Sequence, residues 1–175
     1  MSEEIKKIAK ELSQGDVKSA LNLFKQEKLS LQDVFTPLIE ESAKTGIFLC
    51  LSRGDVDGAF DISAHFLDAS NAASAYETEE IIRQAVLSSL KTGSIGNALK
   101  IQKVFKLKKD LMDEIVKHSI LSVFSEGNIE RVVEIRDKFP VTRDIADKIV
   151  DYCVTWGDKG KINKVETIFF APHKA

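Results

Sequence analysis

Apolar and polar positions along this chain follow a pattern that starts over at each of five glycines, Gly15, Gly54, Gly93, Gly127 and Gly160, which lie 39, 39, 34 and 33 residues apart. Two residues after each glycine stands Val17, Val56, Ile95, Ile129 or Ile162. Five residues after it stands Ala20, Ala59, Ala98, Val132 or Val165, and eight after it Leu23, Ile62, Ile101, Ile135 or Ile168. Apolar residues recurring every three to four positions form one face of an α-helix. A small residue in the middle of that face lets a neighbouring helix come close. A period of this length is the sequence mark of helical-repeat arrays.

The residue after the glycine is Asp16, Asp55, Ser94 or Asn128 in the first four copies, each a good N-cap. Glycine tolerates the left-handed backbone that ends a preceding helix. The pair therefore predicts a tight turn between antiparallel helices near residues 15, 54, 93 and 127, with a looser one near 160, where Lys161 takes the cap position. Upstream of each turn a second apolar face predicts the partner helix. Phe35, Leu38, Ile39, Ser42, Ala43, Gly46, Leu49 and Cys50 imply a long helix from about Gln32 to Ser52, with Pro37 in its first turn. Ile82, Val86 and Leu90 serve before Gly93, Met112, Ile115, Val116, Ile120 and Phe124 before Gly127, and Ile145, Ile149, Cys153 and Trp156 before Gly160. Ser74 with Glu77 fits a capping box that opens a helix, and Pro140 with Thr142 marks another start. Hairpins of this kind bury both faces only by stacking. The predicted fold is all-α: an α-solenoid of stacked antiparallel helix hairpins, one domain over residues 1–175.

Units built as helix, glycine turn, Val or Ile and then "ALNLF" resemble pentatricopeptide repeats, and "FTPLIEESAKTG" at Phe35 to Gly46 is similar to that family's first helix. The looseness of the motif is similar to that of the leucine-rich pentatricopeptide proteins of animal mitochondria. The Trp, Gly, Tyr and Pro signature of tetratricopeptide repeats is missing. The resemblance implies single-stranded RNA lying along the concave face, with a polar residue near the start of each first helix touching a base. It places Thr36 at such a position, or, counted from the turn glycines, Lys44, Arg83 and Lys117. A column of cations fits phosphates or an acidic partner better than base reading. The resemblance also implies a mitochondrial location.

Composition changes this picture in only a few places. The chain is 43% hydrophobic and 30% charged with a net charge of −2, which speaks against holding nucleic acid by bulk electrostatics. Its densest charge, "KIQKVFKLKKD", sets Lys100, Lys103, Lys106, Lys108 and Lys109 ahead of the first acid, Asp110, and reads as a solvated helix end or a phosphate-contacting patch. Cys50 and Cys153 lie in apolar helical patterns without CxxC spacing, as buried thiols in a reducing compartment do. The start "MSEEIKKIAKEL" lacks the features of a signal or transit peptide. An intracellular protein is expected, mitochondrial by the resemblance and otherwise cytoplasmic. No apolar run approaches the ~18 residues of a membrane span, so no membrane association is expected. His65, His118 and His173 share no metal-ligand spacing, Asp55, Asp57 and Asp61 lack the rest of a calcium loop, and no triad or paired-acid signature occurs. The expectation is a protein that is not an enzyme and needs no cofactor or metal. It binds single-stranded RNA or, in the alternative, serves as an interaction scaffold for a partner helix or peptide.

Overall fold

A computed structural model describes residues 2–30, 35–68, 70–141, 143–155 and 159–169. The described residues form ten helices and no strand: α1 (Glu3–Ser13), α2 (Val17–Gln26), α3 (Pro37–Ser52), α4 (Val56–Phe66), α5 (Ala72–Thr92), α6 (Ile95–Val104), α7 (Lys109–Ser125), α8 (Ile129–Lys138), α9 (Arg143–Thr155) and α10 (Lys159–Phe169).

Gly15, Gly54, Gly93 and Gly127 all take positive φ, at 71°, 78°, 90° and 81°. Left-handed backbone costs a residue with a side chain ~1–2 kcal/mol, which is why glycine recurs there. Around three of these turns the backbone closes the same two bonds. The glycine N–H donates to Leu12, Leu51 or Phe124 O at 2.9, 3.1 and 2.9 Å, and the next N–H donates to Glu11, Cys50 or Val123 O at 3.0, 2.9 and 3.1 Å. Two carbonyls that the helix end leaves unpaired are thereby satisfied. The residue supplying the second bond also opens the next helix. Its side-chain oxygen accepts from Ser19 N at 3.0 Å, Gly58 N at 3.0 Å or Arg131 N at 3.1 Å in the Asp16, Asp55 and Asn128 turns. The fifth turn differs from expectation. Gly160 is the second residue of α10, and the connection at 156–158 lies outside the described residues.

The chain divides into two compact units, Met1–Ser89 with Gly96–Leu107, and Leu90–Ile95 with Lys108–Ala175. In the first, α1 pairs with α2 and α3 with α4, while α1 also packs on α3 and α2 on α4. In the second, α7 pairs with α8 and α9 with α10. A long polar side chain covers a glycine turn in each unit. The Arg53 guanidinium reaches Gln14 O at 3.4 Å beside Gly15, and that of Arg131 lies so close over Gly93 that a Cβ there would fall 1.9 Å from Nη1.

The column of small residues predicted at the centre of the repeat is the driest part of the core: Ala20, Ala59, Ala98, Val132 and Val165 are all 0% exposed. Val17 and Val56 are buried, and Ile95 and Ile129 half-buried. Ile62, Ile101 and Ile135 are fully buried, each contributing ~1.5–3 kcal/mol relative to exposure. On α3 the close approach is made by Gly46. A Cβ built there would stand 2.5 Å from Leu12 O and 2.9 Å from Ile62 Cδ1, so α1 and α4 both press against it.

Several local expectations are corrected. The long helix starts at Pro37 rather than near Gln32, because Thr36 caps it by accepting from Ile39 N at 3.3 Å; residues 31–34 lie outside the described set. Phe35 and Leu38, assigned to its apolar face, are exposed, whereas Ile47 and Leu51 are buried. A helix that packs on both α1 and α4 needs more than one apolar stripe. The Ser74 and Glu77 capping box does not form. Asn71 Oδ1 accepts from Ala73 N at 3.1 Å and Ser74 N at 3.3 Å, so α5 starts earlier and Ser74 is buried within its first turn. Thr142 and the side chains of Cys153 and Trp156 lie outside the described residues.

Two alanine substitutions separate the crowded glycine from an open one. Gly46→Ala is expected to destabilise the protein by ~1–3 kcal/mol through overpacking. Gly96→Ala, where a Cβ meets nothing within 4 Å, is expected to be neutral or stabilising by up to about 1 kcal/mol. Urea denaturation followed by circular dichroism measures both. Equal effects would contradict the close approach at Gly46.

Candidate functional site

The cations picked out in the sequence are not a row of free charges. Lys44 projects from the middle of α3 with its side chain only 13% exposed. Its Nζ donates to Glu40 Oε1, one turn earlier, at 2.7 Å and to Glu77 Oε2 of α5. Burial pulls the ammonium down, but the bonds to Glu40 and Glu77 outweigh it and leave Lys44 above its ordinary value of 10.5. The Lys44 bond in turn holds Glu40 below its ordinary 4.5. Arg83 of α5 is half-buried and pairs with Glu80 at 3.3 Å. Thr36, also placed on RNA by the resemblance, spends its hydroxyl as the α3 cap.

In the second unit Lys117 of α7 lies against Lys148 of α9, whose Nζ pairs with Asp144 at 2.9 Å. Contact with the Lys148 ammonium pushes Lys117 below the ordinary lysine range. The Asp144 bond, followed by that to Lys117, raises Lys148.

The lysine run resolves into separate local roles. Lys100 donates to Asp57 Oδ2 of α4 at 2.7 Å. Lys103 sits in the last turn of α6, where a cation complements the helix dipole. Lys106 takes φ of 50°, and the bond from Leu107 N to Gln102 O at 3.1 Å closes the end of α6 around it as at the glycine turns. Lys108 precedes α7 with no side-chain cap bond, and Lys109 is its first residue. Lys103, Lys106, Lys108 and Lys109 are exposed, and none has an ion pair among the described residues.

The local periodicity missed a cavity in the first unit. The end of α4, the start of α5 and the end of α6 diverge around about 240 Å³ of space. Its apolar wall is Leu67, Ile82, Phe105 and Leu107, and the carboxylates of Asp68 and Glu79 border it. The reversal at Lys106 sets Phe105 and Leu107 on the same wall. Phe105 is held edge-on by Phe60, with ring centroids 5.8 Å apart. The one available sequence signal was Phe105 and Leu107 flanking a lysine after the helical pattern ends, but the rest of the lining comes from two separate stretches, residues 63–68 and 74–82, and belongs to no local motif.

The Cys50 thiol is buried 3.7 Å from Gly15 O, and burial, then the Asp55 charge, pushes it above the ordinary thiol value. His65 Nδ1 lies 2.8 Å from Asp61 O. Among the described residues no group of three or more His, Cys, Asp or Glu is placed to hold a metal ion, and no helix is long and apolar enough to cross a membrane. The chain matches no protein-family model, and no curated protein or solved structure is significantly similar to it.

The Lys44 triad gives a pH signature. Glu40, lowered by folding, stabilises above pH 4.5 and loses that contribution as acid carries it through its folded pKa. Lys44, raised by folding, contributes fully below pH 10.5 and loses its share as pH climbs through its folded value. Lys44→Met is therefore expected to be less stable than the parent by up to about 1 kcal/mol between those limits. The gap should close well below pH 4.5 in urea titrations; a gap unchanged in acid would contradict the pairing.

Proposed function

We propose that this chain is a non-catalytic helical-repeat module that binds another protein, its hairpins continuing one upon the next as an α-solenoid of the pentatricopeptide kind. The observation that carries the reading is the neutralisation of three of the expected RNA-facing cations, while Lys117 lies against Lys148. Lys44, Arg83 and Lys100 each have a carboxylate partner, so a phosphate would have to displace an ion pair already made. Large apolar side chains stand in water instead: Phe48 is 58% and Tyr76 71% exposed. Aromatic side chains on a surface are common anchors of protein interfaces. The packing of α1 on α3 and α2 on α4 supports the stacked arrangement.

A second reading keeps single-stranded RNA as the ligand and a mitochondrial setting, and it rests on the exposed Lys103, Lys106, Lys108 and Lys109, which have no ion pair among the described residues. Fluorescence titration of labelled single-stranded RNA at low and near-physiological salt distinguishes the two. A protein-binding module is expected to take up RNA weakly at low salt and to lose it as salt rises, with charge reversal at the four lysines abolishing the remainder. RNA affinity tighter than about 1 μM at near-physiological salt would overturn the first reading in favour of the second.

A further inference from the structure

From the cavity at the end of α4 we infer a docking site for a peptide segment that inserts one leucine- to phenylalanine-sized side chain flanked by lysine or arginine. The inference rests on the protein-binding reading above and names the chemistry of the partner.

Three observations converge on this occupant. The first is volume. At about 240 Å³ the cavity falls below the ~300–1,000 Å³ usual for small-molecule and cofactor sites, and suits a single side chain rather than a whole ligand. The second is the wall. Leu67 and Ile82 form an almost dry floor, and the half-exposed Phe105 and Leu107 form a side whose apolar surface is only partly covered. Phe105 is braced by Phe60, so the cavity is shaped before anything enters. A preformed apolar recess of this kind is where an interface places its anchor residue.

The third observation is charge. Asp68 and Glu79 border the opening. Asp68 Oδ1 takes both the amide and the hydroxyl of Ser70, at 2.9 and 2.6 Å, and these bonds hold its carboxyl below the usual aspartate value, so it stays charged. Glu79 is exposed and has no ion pair among the described residues. Asp68 also borders a second recess of about 70 Å³ beside Phe35, Phe66 and Glu40. That smaller recess is mainly polar, with Glu40, Asp68 and Asn71 in its lining, and it adjoins the apolar cavity at Asp68, an arrangement that suits a peptide cation next to the inserted apolar side chain. Lys106 lies between two wall residues in sequence, but its side chain is not part of the lining. A phosphate-bearing ligand meets two carboxylates here, whereas a basic peptide meets complementary charge.

The test is a display selection from a random-peptide library on the full chain, followed by titration of a synthetic representative. The enriched peptides are expected to share one leucine, isoleucine, methionine or phenylalanine with lysine or arginine nearby. Ala75→Trp, at an exposed position on the cavity rim, fills the space and is expected to weaken the representative by about tenfold or more. Glu79→Lys, a surface change that leaves folding intact, is expected to weaken it comparably and to readmit acidic-flanked peptides. Val154→Ala, an exposed position on α9 that is not part of the lining, should leave affinity unchanged. Peptides that bind Ala75→Trp and Glu79→Lys as tightly as the parent overturn the pocket assignment but keep the protein-binding reading. A selection that enriches no peptide overturns both.

Discussion

The fold hangs on a three-residue turn in which one residue serves two helices. At Asp16, Asp55 and Asn128 the backbone N–H closes the helix behind while the side-chain oxygen caps the helix ahead. No residue is left over to act as a loop, so the angle and register of the two helices follow from the turn itself. Only glycine fits the preceding position at low cost. Fixed register is what allows the centre of each second helix to be small. Ala20, Ala59 and Ala98 are fully buried because a neighbour comes close there, and Gly46 answers them on α3 by leaving room for the Leu12 carbonyl.

What the sequence made legible is whatever repeats locally. Four turn glycines take positive φ, the Asp16, Asp55 and Asn128 caps form, and the small column is fully buried, whereas Leu23, Ile95, Ile129 and Ile168 are half-buried and Gly160 is absorbed into the start of α10. What stayed illegible depends on which helices meet. Lys44 looked like a free cation because its second acid, Glu77, stands on another helix, and Lys100 because Asp57 is 43 positions away. The face of α3 was drawn too narrow because a single stripe cannot anticipate two neighbours. The Ser74 capping box failed for a local reason: Asn71, also a good cap, stood three residues earlier and made the bonds first.

The same pairings are what the proposed protein-binding function rests on. A cation with a carboxylate already at 2.7 Å adds little to an approaching polyanion, because the displaced acid must be resolvated or repelled. Beside the exposed lysines of residues 103–109, the first unit offers apolar relief with carboxylates at its edge, the combination on the cavity between α4, α5 and α6 on which the proposed docking rests. Protein interfaces gain affinity from such filled recesses and specificity from the charges around them.

The dual role of the turn residue is tested most directly by amide hydrogen exchange. If Asp16, Asp55 and Asn128 each donate to the helix behind them, their backbone amides exchange as slowly as those of the adjoining helix interiors, although sequence alone places them in turns. Exchange at the rate of an open loop at these three positions would show that the helices are joined flexibly, and would contradict the account.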